Sequence, residues 1–111
     1  MSKLAQVNEL LHRELSMAIN QVLEWPEALI TIVYVDTSPD LQTVNIGISV
    51  LPDRLAGTAL KKLKAASGRL AKVISQQTRL RKIPKLYWEF DDTERKAAEL
   101  DELFLKIDDE L

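Results

Sequence analysis

The chain has 111 residues, of which 15 are lysine or arginine and 17 aspartate or glutamate, with one histidine and a net charge of −2. At 46% apolar and 29% charged it reads as one ordinary globular domain over residues 1–111, with no apolar run near the ~20 residues a membrane span needs. The lack of cysteine excludes disulfides, thiolate metal ligands and thiol nucleophiles, and a solitary His12 has no histidine partner for a metal site or a nucleophile–base pair.

The N-terminus, Met1-Ser2-Lys3-Leu4-Ala5-Gln6, turns polar too soon for a signal peptide, which fits a cytoplasmic protein. Residues 3–24 then predict an amphipathic helix. Leu4, Val7, Leu11, Leu15, Ala18 and Val22 recur at three- and four-residue steps, Ser2 stands as N-cap, and Pro26 disfavours helix at Trp25. Residues 29–36 are β-branched and aromatic and predict a strand. Thr37-Ser38-Pro39-Asp40 is a turn signal, and a second strand follows over 41–51. There Val44, Ile46, Ile48 and Val50 alternate with Thr43, Asn45, Gly47 and Ser49, so one face is buried and the other wet. The short connection makes the pair an antiparallel hairpin.

Pro52-Asp53 opens a second helical stretch with Leu60, Leu63, Leu70, Val73 and Ile74 on its apolar side, ended by Ile83-Pro84. Residues 85–91 alternate with Leu86, Trp88 and Phe90 directed inward, a third strand. Asp92 or Thr93 caps a last helix whose stripe is Ala97, Leu100, Leu103, Phe104 and Ile107. Strands joined through a helical crossover, with helices on one face of a three-stranded sheet, make an α+β sandwich.

The net charge conceals segregation. Between Arg54 and Lys85 stand ten basic residues and no acid, where average composition would give about five acids. From Glu89 to Leu111 ten acids face only Arg95, Lys96 and Lys106. One reading is a set of solvated faces pairing within the domain; the other is a polyanion-binding face, nucleic acid above all. Ala66-Ser67-Gly68 lies between the basic clusters. A continuous helix and a break there stand equal on the residues alone; a break would present a helix N-terminus, whose free N–H groups favour phosphate.

These motifs together resemble bacterial ribosome-binding factor A. The resemblance is carried by Val7-Asn8-Glu9-Leu10-Leu11 in the first helix, Ser38-Pro39-Asp40-Leu41 between the strands, and the lysine-rich helix with Ala66-Ser67-Gly68. Arg79-Leu80-Arg81-Lys82-Ile83-Pro84 before the aromatic strand and the closing Glu99-Leu100-Asp101-Glu102-Leu103 complete it. It covers about residues 3–108. It implies a type II KH-like fold, α-β-β-α-(kink)-α-β with a C-terminal helix, in which an Ala-x-Gly interruption at Ala66, Ser67 and Gly68 replaces the Gly-x-x-Gly loop. It also implies a non-enzymatic, cofactor-free assembly factor that binds free small ribosomal subunits, assists late maturation of their rRNA, and supports growth in the cold. A monomer that also meets other assembly factors is expected on the same ground. The implied rRNA contacts are Lys61, Lys62, Lys64, Ser67, Gly68, Arg69 and Lys72 on the helix, then Arg79, Arg81, Lys82 and Lys85. Glu24-Trp25-Pro26 departs from the Asp-Pro step frequent in the family, and the chain lacks the longer tail of some members. The acidic end, residues 108–111, is repelled by RNA and is expected to point away from it.

No Gly-x-x-x-x-Gly-Lys, Gly-x-Gly-x-x-Gly or Gly-x-Ser-x-Gly sequence occurs, and the acidic tail lacks calcium-loop spacing. Tyr87, facing opposite to Trp88, is the better base-stacking candidate of the aromatic strand, and Trp25 reads as a helix-end packing residue. A protein-interaction module whose basic face meets an acidic partner is the alternative from another class. Helix-turn-helix DNA binding is weaker, for want of a turn and a dedicated recognition helix around Gly68.

Overall fold

A computed structural model describes residues 2–91. The helix expected after Asp92 lies outside these residues. The first helix, α1, runs Lys3–Leu23. Ser2 Oγ accepts from the Ala5 N–H at 3.1 Å, satisfying one of the helix's free donors. Val7, Leu11, Leu15, Ala18 and Ile19 form its buried stripe. It ends one residue short of the expected span because Glu24 turns left-handed (φ 45°) and donates back to the Asn20 carbonyl. Trp25 packs partly buried against the core.

Strands β1 (Leu29–Thr37) and β2 (Thr43–Leu51) pair antiparallel. The turn between them is built by side chains. Asp40 Oδ1 accepts from Ser38 Oγ at 2.6 Å and from the Gln42 N–H at 3.1 Å, while Ser38 Oγ accepts from the Thr43 N–H at 3.1 Å. This Asx-type arrangement is why Ser-Pro-Asp makes a tight reversal. Along β2, Val44, Ile46, Ile48 and Val50 are buried, as their alternation requires. In β1 the register shifts between Ile32 and Tyr34. Ile30 and Ile32 face the core before this bulge, Val35 and Thr37 after it. Tyr34 is thereby turned outward over Gly47, where any Cβ would strike its ring, and its hydroxyl donates to Glu89 Oε1. Asn8 Oδ1 accepts from the Thr37 N–H at 2.8 Å and so ties α1 to the end of β1.

After a single 3-10 turn (Asp53–Leu55), helix α2 runs Ala56–Gln77 and strand β3 runs Lys85–Phe90. β3 lies parallel to β2, giving the sheet order β1-β2-β3. This is the crossover connection expected from the sequence. One core joins the inner sheet face to both helices: Leu11 and Leu15 of α1, Ile46 and Ile48 of β2, and Leu63, Leu70 and Ile74 of α2 are all fully buried.

Three expectations need correction. The interruption at Ala66-Ser67-Gly68 does not divide the helix, so the described order is α-β-β-α-β with one 22-residue α2. Ala66 is fully buried in the core stripe, Ser67 Oγ donates to the Leu63 carbonyl at 2.9 Å within the helix, and Gly68 has no positive φ. Nothing there requires a break, because each residue's polar groups are satisfied in helical geometry. Secondly, α2 stops at Gln77 rather than at Ile83-Pro84. Thr78 is extended (φ −129°), and both its N–H and its hydroxyl donate to the Ile74 carbonyl, so a β-branched residue closes the last turn itself. Thirdly, Phe90, expected inward with Leu86 and Trp88, is 43% exposed at the end of β3; Trp88 is buried as expected.

Candidate nucleic-acid interface

The side of α2 opposite Leu63, Ala66, Leu70 and Ile74 carries the cations. With 3.6 residues per turn, Lys61, Lys64, Gly68 and Lys72 fall on one stripe, and Lys62 and Arg69 on the next stripe towards Trp25. All six are exposed. Lys62 Nζ lies 5.1 Å from the centre of the Trp25 ring, so a cation–π contact orients this lysine away from the others.

Because α2 ends at Gln77, Arg79, Arg81 and Lys82 stand on the irregular segment that leads into β3, all exposed. That segment is fastened to the hairpin turn. The Lys85 N–H donates to the Gln42 carbonyl at 3.0 Å, and Lys82 Nζ donates to Gln42 Oε1 at 3.2 Å. Two hydrogen bonds to Asp40, from the Ser38 hydroxyl and then the Gln42 N–H, hold its carboxyl below the ordinary carboxylate range, so the turn keeps its charge.

Between α2 and the segment 83–88 runs an open groove of about 590 Å³. Lys64, Ser67, Gly68 and Ala71 form its helix wall; Ile83, Pro84, Lys85, Leu86, Tyr87 and Trp88 form the other. Tyr87 is 45% exposed, with Lys85 Nζ 5.3 Å from its ring centre. The Trp88 indole N–H donates to Ser67 Oγ at 2.9 Å across the base of the groove. Ser67 therefore uses its hydroxyl to lock α2 to β3 and is occupied structurally, although it lines the groove. Gly68 stands at the groove wall with open space where a Cβ would be.

Among the described residues, the only ion pair is Arg13–Glu14 at 3.7 Å. None of the ten cations between Arg54 and Lys85 is paired with a carboxylate there. No carboxylate among the described residues neutralises the basic element. Nor do three of His, Cys, Asp and Glu come together as a metal-holding group among the described residues. The exposed point charges and the one accessible ring, Tyr87, suit binding of a polyanion with exposed rings.

Sequence reasoning located the cations and Tyr87 but missed their partners, Trp25 and Gln42, and the apolar side of the groove at Ile83 and Leu86. One signal was available for Ser67: a buried indole N–H needs an acceptor.

Two helices on one side of a β1-β2-β3 sheet, with β3 reached by a helical crossover, define a small α+β domain of KH-like fold with a cationic helix face. The model of the family Ribosome-binding factor A matches residues 3–104, and the chain belongs to that family. It is 28% identical over 106 residues to the ribosome-binding factor A of Akkermansia muciniphila, across 96% of this chain and 85% of that one. It is also similar to the crystal structure of ribosome-binding factor A from Thermus thermophilus, with a TM-score of 0.70, 27% identity and coverage of 78% of this chain and 93% of that one. A homology model of the Thermus thermophilus factor, fitted into a cryo-EM map of a 30S complex, aligns with a TM-score of 0.67 at 27% identity, covering 77% of this chain and 91% of that one.

Proposed function

We propose that this ribosome-binding factor docks on the free small ribosomal subunit during its assembly, with the exposed face of α2 and residues 79–85 set against rRNA phosphates. It acts by holding one local rRNA conformation during late maturation, as a cytoplasmic monomer without a cofactor and without covalent chemistry. Cold growth and contact with other assembly factors are further parts of this reading, carried by family membership. The observation that carries the proposal is the unneutralised cation set: Lys61, Lys64 and Lys72 on one helix stripe, continued by Arg79, Arg81 and Lys82, with no carboxylate partner among the described residues. The relative fitted into the 30S map supports the choice of subunit.

Phosphate contacts position a protein without reading sequence, so RNA shape outweighs base identity here. The test is the salt dependence of binding to free small subunits. Six phosphate contacts give a slope of log affinity against log salt of about −4 to −5. A slope near zero would contradict electrostatic docking. Lysate capture with and without ribonuclease separates this reading from an acidic protein partner, because only RNA-borne partners disappear on digestion.

A further inference from the structure

The groove beside α2 has a character that phosphate binding leaves unused. Lys64 and Lys85 stand at it, but Ala71, Ile83, Leu86 and the ring of Tyr87 give it an apolar lining. A phosphodiester matches the lysines and not the lining. An acidic peptide with one apolar face matches both.

The chain carries such a peptide. Residues 92–111 hold eight acids against Arg95, Lys96 and Lys106, and Leu100, Leu103, Phe104 and Ile107 recur there at three- and four-residue steps. The tether is short enough. The Asp91 N–H donates to the Ile48 carbonyl at 2.9 Å, which fastens this residue at the end of β3. The groove-lining part of β3 lies three to six residues back, about 10–20 Å at strand spacing. Twenty residues span about 30 Å even when wholly helical.

We propose that residues 92–111 dock in this groove and compete with RNA for the basic face of the same molecule. The proposal rests on the RNA-binding reading of that face and adds its regulation. The repulsion that keeps an acidic tail off RNA is the counterpart of its attraction to Lys64 and Lys85. A short tether supplies an effective concentration in the millimolar range, so even a weak contact, with a dissociation constant of about 0.25 mM, lowers RNA affinity about fivefold. A small subunit, being a far denser polyanion, displaces the tail on binding.

The test uses the full chain and the paired substitution Leu103→Ser with Phe104→Ser, which leaves every charge in place. Without RNA, the Gly68 amide, Tyr87 ring and Trp88 indole NMR signals should move. Affinity for isolated small subunits should rise about fivefold. A second variant, Asp101→Asn with Glu102→Gln, keeps the apolar stripe and should move the same signals in the same direction. Signals unchanged in both variants would overturn the docking. Signals that move while subunit affinity stays the same would overturn the competition. If the signals move but neither variant nor the parent chain binds subunits, the RNA reading falls and the competition with it, while the docking stands.

Discussion

Replacing Gly68 by alanine separates two descriptions of the basic helix. In the family resemblance, Ala66-Ser67-Gly68 interrupts the helix. In the structure, α2 passes through it unbroken from Ala56 to Gln77. Gly68 is exposed, has no positive φ, and apart from its own stretch of helix backbone nothing stands within 4 Å of where a Cβ would be. Alanine there loses no contact and meets no clash, and the helix gains the propensity difference of about 0.8–1 kcal/mol. For a domain of this size that raises the melting temperature by roughly 3–4 °C. The urea midpoint should rise by about 0.3–1 M with the slope unchanged. Thermal unfolding by circular dichroism and a urea titration measure both. A lowered melting temperature would refute the continuous helix, because it would show that Gly68 requires a conformation alanine resists.

Other substitutions probe the groove, the cation face and the hairpin turn. Ser67→Ala removes the acceptor of the Trp88 indole N–H. It should destabilise by about 1–3 kcal/mol in denaturant titration, the cost of a buried donor left unpaired, and an unchanged midpoint would remove that lock between α2 and β3. Lys61→Glu with Lys72→Glu changes two exposed residues opposite the core stripe, so the melting temperature should hold while subunit association is lost. For the corresponding neutral pair, Lys61→Gln with Lys72→Gln, the salt slope should shrink by about 1.4–1.8, two phosphate contacts' worth; an unchanged slope would place RNA on another face. Ser38→Ala removes the larger cause of the lowered Asp40 pKa, and an NMR titration of Asp40 should move up towards the ordinary carboxylate value. The sign follows from linkage. A carboxyl depressed in the folded state contributes stability above its unfolded pKa and loses it as pH falls through the folded one, so the turn should loosen only on acidification and earlier in Ser38→Ala. An unmoved titration would discount the Ser38 hydrogen bond.

Much of the fold was legible because its signals are local. The strict alternation of Val44, Ile46, Ile48 and Val50 sets β2's buried face, and Ser38-Pro39-Asp40 carries its own hydrogen-bonding groups for the turn. Three features were hidden because they depend on partners distant in sequence or on position within an element. The β1 bulge is invisible in Leu-Ile-Thr-Ile-Val-Tyr-Val, where every residue but Thr31 is apolar or aromatic and no alternation marks a face; only Gly47 across the sheet makes room for Tyr34. The helix end at Thr78 is a capping decision taken by one hydroxyl, several residues before the proline that announces it. Phe90 follows the strand's alternation yet lies at its end, beyond the cover that Trp88 receives. The candidate site was legible as composition: nine of its positions are lysine or arginine in an acid-free run. Its geometry was not, because the groove forms between α2 and a segment sixteen or more residues onward from Ser67. Ser67, expected among the RNA contacts, is also the acceptor that holds Trp88.

Docking through the α2 face is tested by sedimenting the full chain with isolated small subunits, isolated large subunits and whole ribosomes at moderate salt. Co-sedimentation with free small subunits, and its loss in Lys61→Glu with Lys72→Glu, is the predicted result. Equal association with all three particles, or association with small subunits that survives the charge reversal, would contradict docking through the α2 face.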